Sequence, residues 1–287
     1  MTKQAWPRFT VARDGTSIAY DVDGSGLPII FCNGYATSHY YWDGVRDHLR
    51  ASSRTVVWDL KGHGRSGPAR DLNACTIPDS VDDLRRVLDA CEIDRAVLAG
   101  FSLGCQVIFE AWRQMPERIA GLIPVLGTYG RPFDNLLHPA VGQKMYSVFK
   151  RVGPLVANHV MPVVRLNMQL PTTHMLSRAA GMIGPDLDRK KMQPFYDHFR
   201  DIDGPTWVAM GIHAQQHSAE DVLHTIEVPT LIVAGGRDMF TPHSLSEHML
   251  RTIPGADMLM LPNATHAGLL EHAETIATRI EAFLKPG

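Results

Sequence analysis

The apolar positions of this 287-residue chain change rhythm along its length, and each rhythm predicts a different kind of element. Phe9–Ala12 and Ile18–Val22 are short β-type runs joined through Arg13-Asp14-Gly15, and Asp-Gly is a strong turn signal, so a hairpin is expected at the start. Beyond Gly24-Ser25-Gly26 the runs become nearly continuous: Ile29–Cys32, Thr55–Trp58, Ala96–Ala99, Ile119–Leu126, Thr230–Ala234 and Met258–Leu261. Unbroken apolar strands of this length fit a parallel sheet covered on both faces. Between them the spacing is helical. Trp42, Val45 and Leu49 mark one helix, and Val81, Leu84, Leu88 and Cys91 form the stripe of another over Asp79–Cys91, with Thr76, Asp79 or Ser80 available as its cap. A closing helix turns Ile276, Ile280 and Phe283 inward.

Alternation of strands and helices at this interval predicts an α/β fold: a mostly parallel, doubly wound sheet of eight strands with right-handed crossovers and functional loops at the strands' C-terminal edge. One region departs from it. From about Gly130 to Leu223 no convincing strand occurs, and methionines, aromatics, histidines and prolines accumulate, among them Met145, Phe149, Met161, Met168, Met175 and Met182. A structureless loop of that length is untenable in a compact domain, so residues 130–223 are expected to form a helical cap over a core made of 1–129 and 224–287.

Composition narrows the function. Lys and Arg number 28 against 30 Asp and Glu, so no basic footprint for nucleic acid or an anionic membrane stands out. No apolar run approaches the ~18 residues of a membrane span and the N-terminus lacks a signal-peptide core, which gives the expectation of a soluble, cytoplasmic protein. Cys32, Cys75, Cys91 and Cys105 lie in or beside apolar segments without Cys-x-x-Cys spacing and read as reduced thiols, not a disulfide framework or zinc site.

The chemistry begins at Gly100-Phe101-Ser102-Leu103-Gly104, where an apolar strand runs into the turn and an apolar helical segment, Val107–Trp112, runs out. Gly-x-Ser-x-Gly alone is a common accident, but between a strand and a helix it describes a strained turn that presents the serine hydroxyl. A serine needs a general base, and the base needs an anion to orient it. Asp238 follows the strand Thr230–Ala234, ahead of a helix expected to be capped by Thr241 with Pro242 at its first position; His266 follows the strand Met258–Leu261.

The order Ser102, Asp238, His266, with Asn33-Gly34 after the third strand and Asp59-Leu60-Lys61-Gly62-His63-Gly64 after the fourth, resembles the α/β-hydrolase superfamily along essentially the whole chain. The resemblance implies a Ser-His-Asp catalytic triad, an oxyanion hole from the backbone N–H groups of Leu103 and Tyr35, and no cofactor or metal. Asn33 departs from the usual His-Gly, which leaves that loop's orientation and the substrate preference open. Asn33, Gly34, Phe101, Met239 and Phe240 are the candidate substrate contacts. His63 is expected to be structural. His213 and His217 share helical spacing but lack the glutamate of a His-Glu-x-x-His zinc site, so they read as a solvated or internally satisfied pair; Asp134 is a substitute acid for the triad. The expected reaction is hydrolysis of a lipophilic carboxylic ester, with lactone opening, carbon-carbon bond hydrolysis and cofactor-free perhydrolysis as alternatives and a non-catalytic small-molecule receptor as the different class. A homodimer is compatible with the sequence.

Overall fold

The computed structural model describes residues 7–135 and 139–285. Its sheet has eight strands: β1 (Arg8–Val11), β2 (Ser17–Asp23), β3 (Leu27–Cys32), β4 (Ser53–Trp58), β5 (Ala96–Phe101), β6 (Ile119–Val125), β7 (Leu231–Gly235) and β8 (Asp257–Leu261). They are ordered β1-β2-β4-β3-β5-β6-β7-β8; the β1/β2 and β2/β4 pairs are antiparallel and the rest parallel. The expected opening hairpin is the antiparallel edge.

Continuous apolar strands follow from a core on each face. Along β3, Ile30 and Cys32 join one core while Ile29 and Phe31 join the other, and in β5 Ala96 and Leu98 part from Val97, Ala99 and Phe101 in the same way. Alternate side chains leave a strand on opposite faces, so both sets must be apolar. Helices α1 (Asp43–Leu49), α2 (Ile77–Ala90) and α3 (Leu103–Gln114) follow β3, β4 and β5. Thr76 closes a capping box with Asp79 at the start of α2, two residues earlier than the sequence pattern suggested.

Between β6 and β7 the chain forms α4 (Pro139–Met168), α5 (Pro171–Ala179), α6 (Arg189–His198) and α7 (Gly204–Gln216), with no strand among the described residues of that stretch. A single antiparallel bridge, Gly130 to Ser218, ties the two ends of this insertion together. After β7 come α8 (His243–Thr252), α9 (Gly268–Glu271) and α10 (Ala273–Leu284). The structure moves the start of α8: Pro242 is its N-cap residue and has no side-chain acceptor to cap with, while the Thr241 hydroxyl is turned to Asp238.

The loops at the sheet's C-terminal edge are fastened by a buried carboxylate. Asp59, at the end of β4 and with no solvent exposure, accepts from the backbone N–H groups of His39 (2.9 Å) and Arg65 (3.0 Å) and from Asn33 Nδ2 (3.2 Å). It thereby holds the loop after β3 against its own. All four cysteines are buried free thiols, and burial pushes Cys32 and Cys75 up to about 12, far from a nucleophilic state at neutral pH. No helix among the described residues is long and apolar enough to cross a membrane. Replacing Asp59 with Ala would leave these buried donors without an acceptor and is expected to cost on the order of 3 kcal/mol, read as a lower urea midpoint at unchanged slope.

Candidate active site

Ser102 sits where β5 passes into α3, with φ 53° and ψ −114°. A β-carbon-bearing residue rarely adopts such angles, and the surrounding packing must hold it there. The packing is visible on both sides. A Cβ on Gly100 would come 2.3 Å from the Gly104 carbonyl oxygen, and one on Gly104 would come 2.4 Å from that of Cys32, so the strand and helix close to this distance only with glycine at both positions. The Ser102 N–H donates to Val125 O (3.0 Å) and its carbonyl accepts from Cys105 N (3.0 Å), which fixes the turn from both directions.

Its hydroxyl projects toward His266. Ser102 Oγ lies 3.0 Å from His266 Nε2, and His266 Nδ1 lies 2.8 Å from Asp238 Oδ2. A carboxylate only accepts, so Nδ1 carries the proton and donates it to Asp238, which leaves Nε2 as the acceptor for the serine hydroxyl. The imidazole is held between two rings, with the centroids of Phe101 and Phe240 each 5.1 Å away. Backbone bonds from Gly236 to Leu261 O and from Arg237 to Ala264 O tie the Asp238 loop to the His266 loop.

Asp238 is buried, and burial by itself raises a carboxyl pKa. That effect is outweighed by the charge and ring N–H of His266 and by the backbone N–H and hydroxyl of Thr241, so the group is held below the usual carboxylate range. Oδ1 takes the N–H groups of Phe240 and Thr241, both at 2.9 Å; Oδ2 takes the Thr241 hydroxyl at 2.7 Å as well as His266. Helix-turn and histidine-orienting roles, which sequence alone sets against each other, are filled by different oxygens of one side chain.

The Leu103 and Tyr35 N–H groups have no hydrogen-bond partner among the described residues, and both residues line the same cavity as Ser102. Leu103 opens α3, where helix geometry leaves N–H groups free. Tyr35 is pinned by its side chain: the hydroxyl donates to Trp207 O (2.8 Å) and the ring stacks on Trp207 at 5.1 Å. Such amides are suited to holding a negative oxygen.

The cavity has a volume of about 480 Å³, and its walls are overwhelmingly apolar. From the sheet edge come Tyr35, Phe101, Leu103 and Phe240; from the insertion come Met168, Met182, Met192, Phe195 and Trp207. Methionines that are indistinguishable in sequence thus take three places, since Met161 is buried on the packed side of α4 while Met145 and Met175 face solvent.

Three expected substrate contacts lie elsewhere. Asn33 is fully buried, and its amide donates to Trp58 O (2.5 Å) and to Asp59, so it belongs to the loop-fastening network and not to the cavity wall. Gly34 packs behind Phe101 and Ser102. Met239 is about half exposed and is not among the lining residues. His63 is buried as well; its Nδ1–H donates to Lys61 O (2.8 Å) and Nε2 accepts from Ala36 N, while burial lowers its pKa and keeps the ring neutral. His217 lies just past the end of α7 and donates to Glu110 (3.0 Å); no group of three or more metal-type ligands occurs among the described residues. Asp134 accepts from Gln215 and Gln143, so it is not the acid behind His266.

Sequence reasoning missed Glu271. Its carboxylate accepts from Thr265 Oγ1 (2.5 Å) and Thr265 N (2.9 Å), immediately before His266, and also from Gly184 N (2.7 Å) in the insertion, next to the lining residue Ile183. One side chain therefore anchors both the histidine loop and the cavity roof. No local pattern marks it, because Thr265 lies six residues earlier and Gly184 lies far away in the sequence.

A family model for the alpha/beta hydrolase fold matches residues 28–273, and the chain belongs to that family. Among curated proteins it is similar to the pimeloyl-[acyl-carrier protein] methyl ester esterase of Neisseria meningitidis serogroup B, with 26% identity over 266 residues that span 90% of this chain and 93% of the relative. Among solved structures it resembles an esterase from Exiguobacterium antarcticum (TM-score 0.78, 18% identity, 97% of this chain and 99% of that one). It also resembles the enol-lactonase from Burkholderia xenovorans LB400 (TM-score 0.74, 19% identity, 96% and 99%). At such identities the structural likeness establishes the fold.

Glu271→Ala is expected to lower kcat/KM about tenfold and to speed amide hydrogen exchange around Gly184, with Glu271→Gln losing less because it keeps an acceptor oxygen.

Proposed function

We propose that this protein is a serine hydrolase that cleaves carboxylic esters of lipophilic small molecules, with Ser102 as nucleophile, His266 as general base and acid, and Asp238 as the group that orients and stabilises the imidazole. The observation that carries this reading is the continuous chain of hydrogen bonds from Ser102 Oγ through both ring nitrogens of His266 to Asp238, ending at an apolar cavity. The esterase names of the relatives support the same bond type.

Ser102 Oγ attacks the ester carbonyl carbon as its proton passes to His266 Nε2. The carbonyl oxygen becomes an oxyanion held by the N–H groups of Leu103 and Tyr35, each worth about 3 kcal/mol in a water-poor site. The tetrahedral species expels the alkoxide, which takes the proton from Nε2 and leaves as alcohol, with the acyl group on Ser102. Water then enters by the same base catalysis, and the acid is released with Ser102 restored. Residues 130–223 serve as the cap that closes this chemistry off from bulk water, and the cavity volume suits a medium-sized uncharged acyl chain.

The deciding experiment compares p-nitrophenyl esters of increasing acyl length with lactones of matched size. Ester turnover is expected to rise from acetyl toward medium chains, and Ser102→Ala is expected to lower kcat by three orders of magnitude or more, on the order of 4 kcal/mol, with circular dichroism unchanged. Near-normal turnover by Ser102→Ala overturns the mechanism, and turnover of lactones alone moves the reading to ring opening.

Asp238 is held below the usual carboxylate value of ~3.9, so it stays ionised throughout the range in which an imidazole titrates. Loss of activity through protonation of Asp238, which would remove the anion behind the imidazole, should therefore set in only below that ordinary carboxylate value in a pH–rate profile limited by chemistry.

A further inference from the structure

Near-neutral overall charge conceals a strong local asymmetry. Residues 135–185 contain Lys144, Lys150, Arg151, Arg165 and Arg178 and not one Asp or Glu, so all 30 acidic residues lie elsewhere in the chain. This stretch contains all of α4 and all of α5. The 30 residues of α4 make it roughly 45 Å long at the usual helical rise.

Its outer surface is apolar. Met145, Val148, Val152 and Leu155, then Val163 and Leu166 further on, are 40 to 73% exposed and recur at steps of three or four residues, which places them in one line along the helix. The opposite side of α4 is already used, since Gly153 packs on Val208 of α7 and Ala157 and Met161 pack on Gly204. The exposed line is therefore additional to the helix's packing face. Met175 and Leu176 of α5, in the same acid-free stretch, are also about 60% exposed. Helical spacing places the exposed Lys144 and Arg151 beside the line, and neither has an ion-pair partner among the described residues. Met182, which follows α5, is both 40% exposed and a wall of the cavity.

We infer that the outer face of α4 and α5 seats on an anionic lipid surface, with the apolar line entering the acyl boundary and the flanking Lys and Arg meeting the lipid phosphates. A helix lying in the interface combines just these two features, an apolar stripe with basic neighbours. A flat lipid boundary takes in the whole length of the stripe at once. A second copy would instead set the same acid-free stretch of its own α4 and α5 against Lys144 and Arg151, with no carboxylate there to offset them. The docking itself does not rest on the proposed reaction, because it is read without turnover.

The test is co-sedimentation of the full chain with phosphatidylcholine vesicles, with or without about 30 mol% phosphatidylglycerol. Binding to the anionic vesicles should exceed binding to the neutral ones about tenfold and weaken as salt shortens the screening length. Leu155→Asp with Leu166→Asp, and separately Lys144→Glu with Arg151→Glu, should each reduce it about tenfold. Both double variants should hydrolyse a water-soluble short-chain ester at the parent rate, since none of these residues touches the site. Equal binding to both vesicle types, no binding, or binding that both variants retain overturns the inference. A dimer seen by light scattering and dissolved by the Leu155→Asp and Leu166→Asp pair, in a chain that ignores vesicles, assigns the face to a second copy instead. Should a variant fail to fold, the vesicle comparison with the parent chain still decides.

Discussion

A carboxylate without solvent contact stays charged only where donors replace its water, and the geometry of this protein's site depends on how Asp238 meets that constraint. Three donors come from its own turn, the N–H groups of Phe240 and Thr241 and the Thr241 hydroxyl; the fourth is the His266 ring. The turn donors fix the carboxylate in place, so the remaining Oδ2 lone pair has one direction to face. That direction sets the ring's protonated nitrogen, and hence the free nitrogen that faces Ser102. Loss of any donor would leave a buried charge partly unmatched and would loosen the ring together with it.

A strained serine and a buried acid both have to be supported by packing away from the site. The two-faced apolar sheet supplies it, since β3, β5 and β6 are covered on both sides and cannot shift without opening a core. Asp59 performs for the loop after β3 what Asp238 performs for the histidine, and it governs where Tyr35 lies. The helices over the edge are joined to this rigid base at few polar points, among them Tyr35 to Trp207 and Glu271 to Gly184. Their remaining contact with the cavity is apolar and adaptable, as the flexible side chains of Met168, Met182 and Met192 allow. In the proposed reaction, chemistry thus rests on fixed parts and acyl recognition on softer ones.

Legibility in the sequence tracks locality. Strands such as Ile29–Cys32 and Thr55–Trp58 declare themselves because burial on both faces demands unbroken apolar runs, and the glycines around Ser102 because the turn excludes any Cβ. Side-chain direction within a loop is less accessible: Asn33 looks like a substrate contact from its place after β3, yet the buried Asp59 draws its amide inward. Thr241 has the residue type of a helix cap, but a charged acceptor 2.7 Å from its hydroxyl outcompetes the helix end. Glu271 is silent for the opposite reason, since its partners Thr265 and Gly184 come together only in the folded chain. In the insertion, apolar residues occupy both the packed and the solvent side of α4, so periodicity cannot separate Met161 from Met145, and averaging charge over the whole chain hides the acid-free stretch.

The most direct test of the central claim is mass spectrometry of the intact and digested protein after treatment with an alkyl fluorophosphonate. A hydroxyl activated by His266 should take one phosphonyl group per chain, on the peptide containing Ser102, and His266→Ala should slow the labelling by orders of magnitude. Absence of an adduct on Ser102 in the folded parent protein, or labelling at the same rate without the imidazole, would contradict the account.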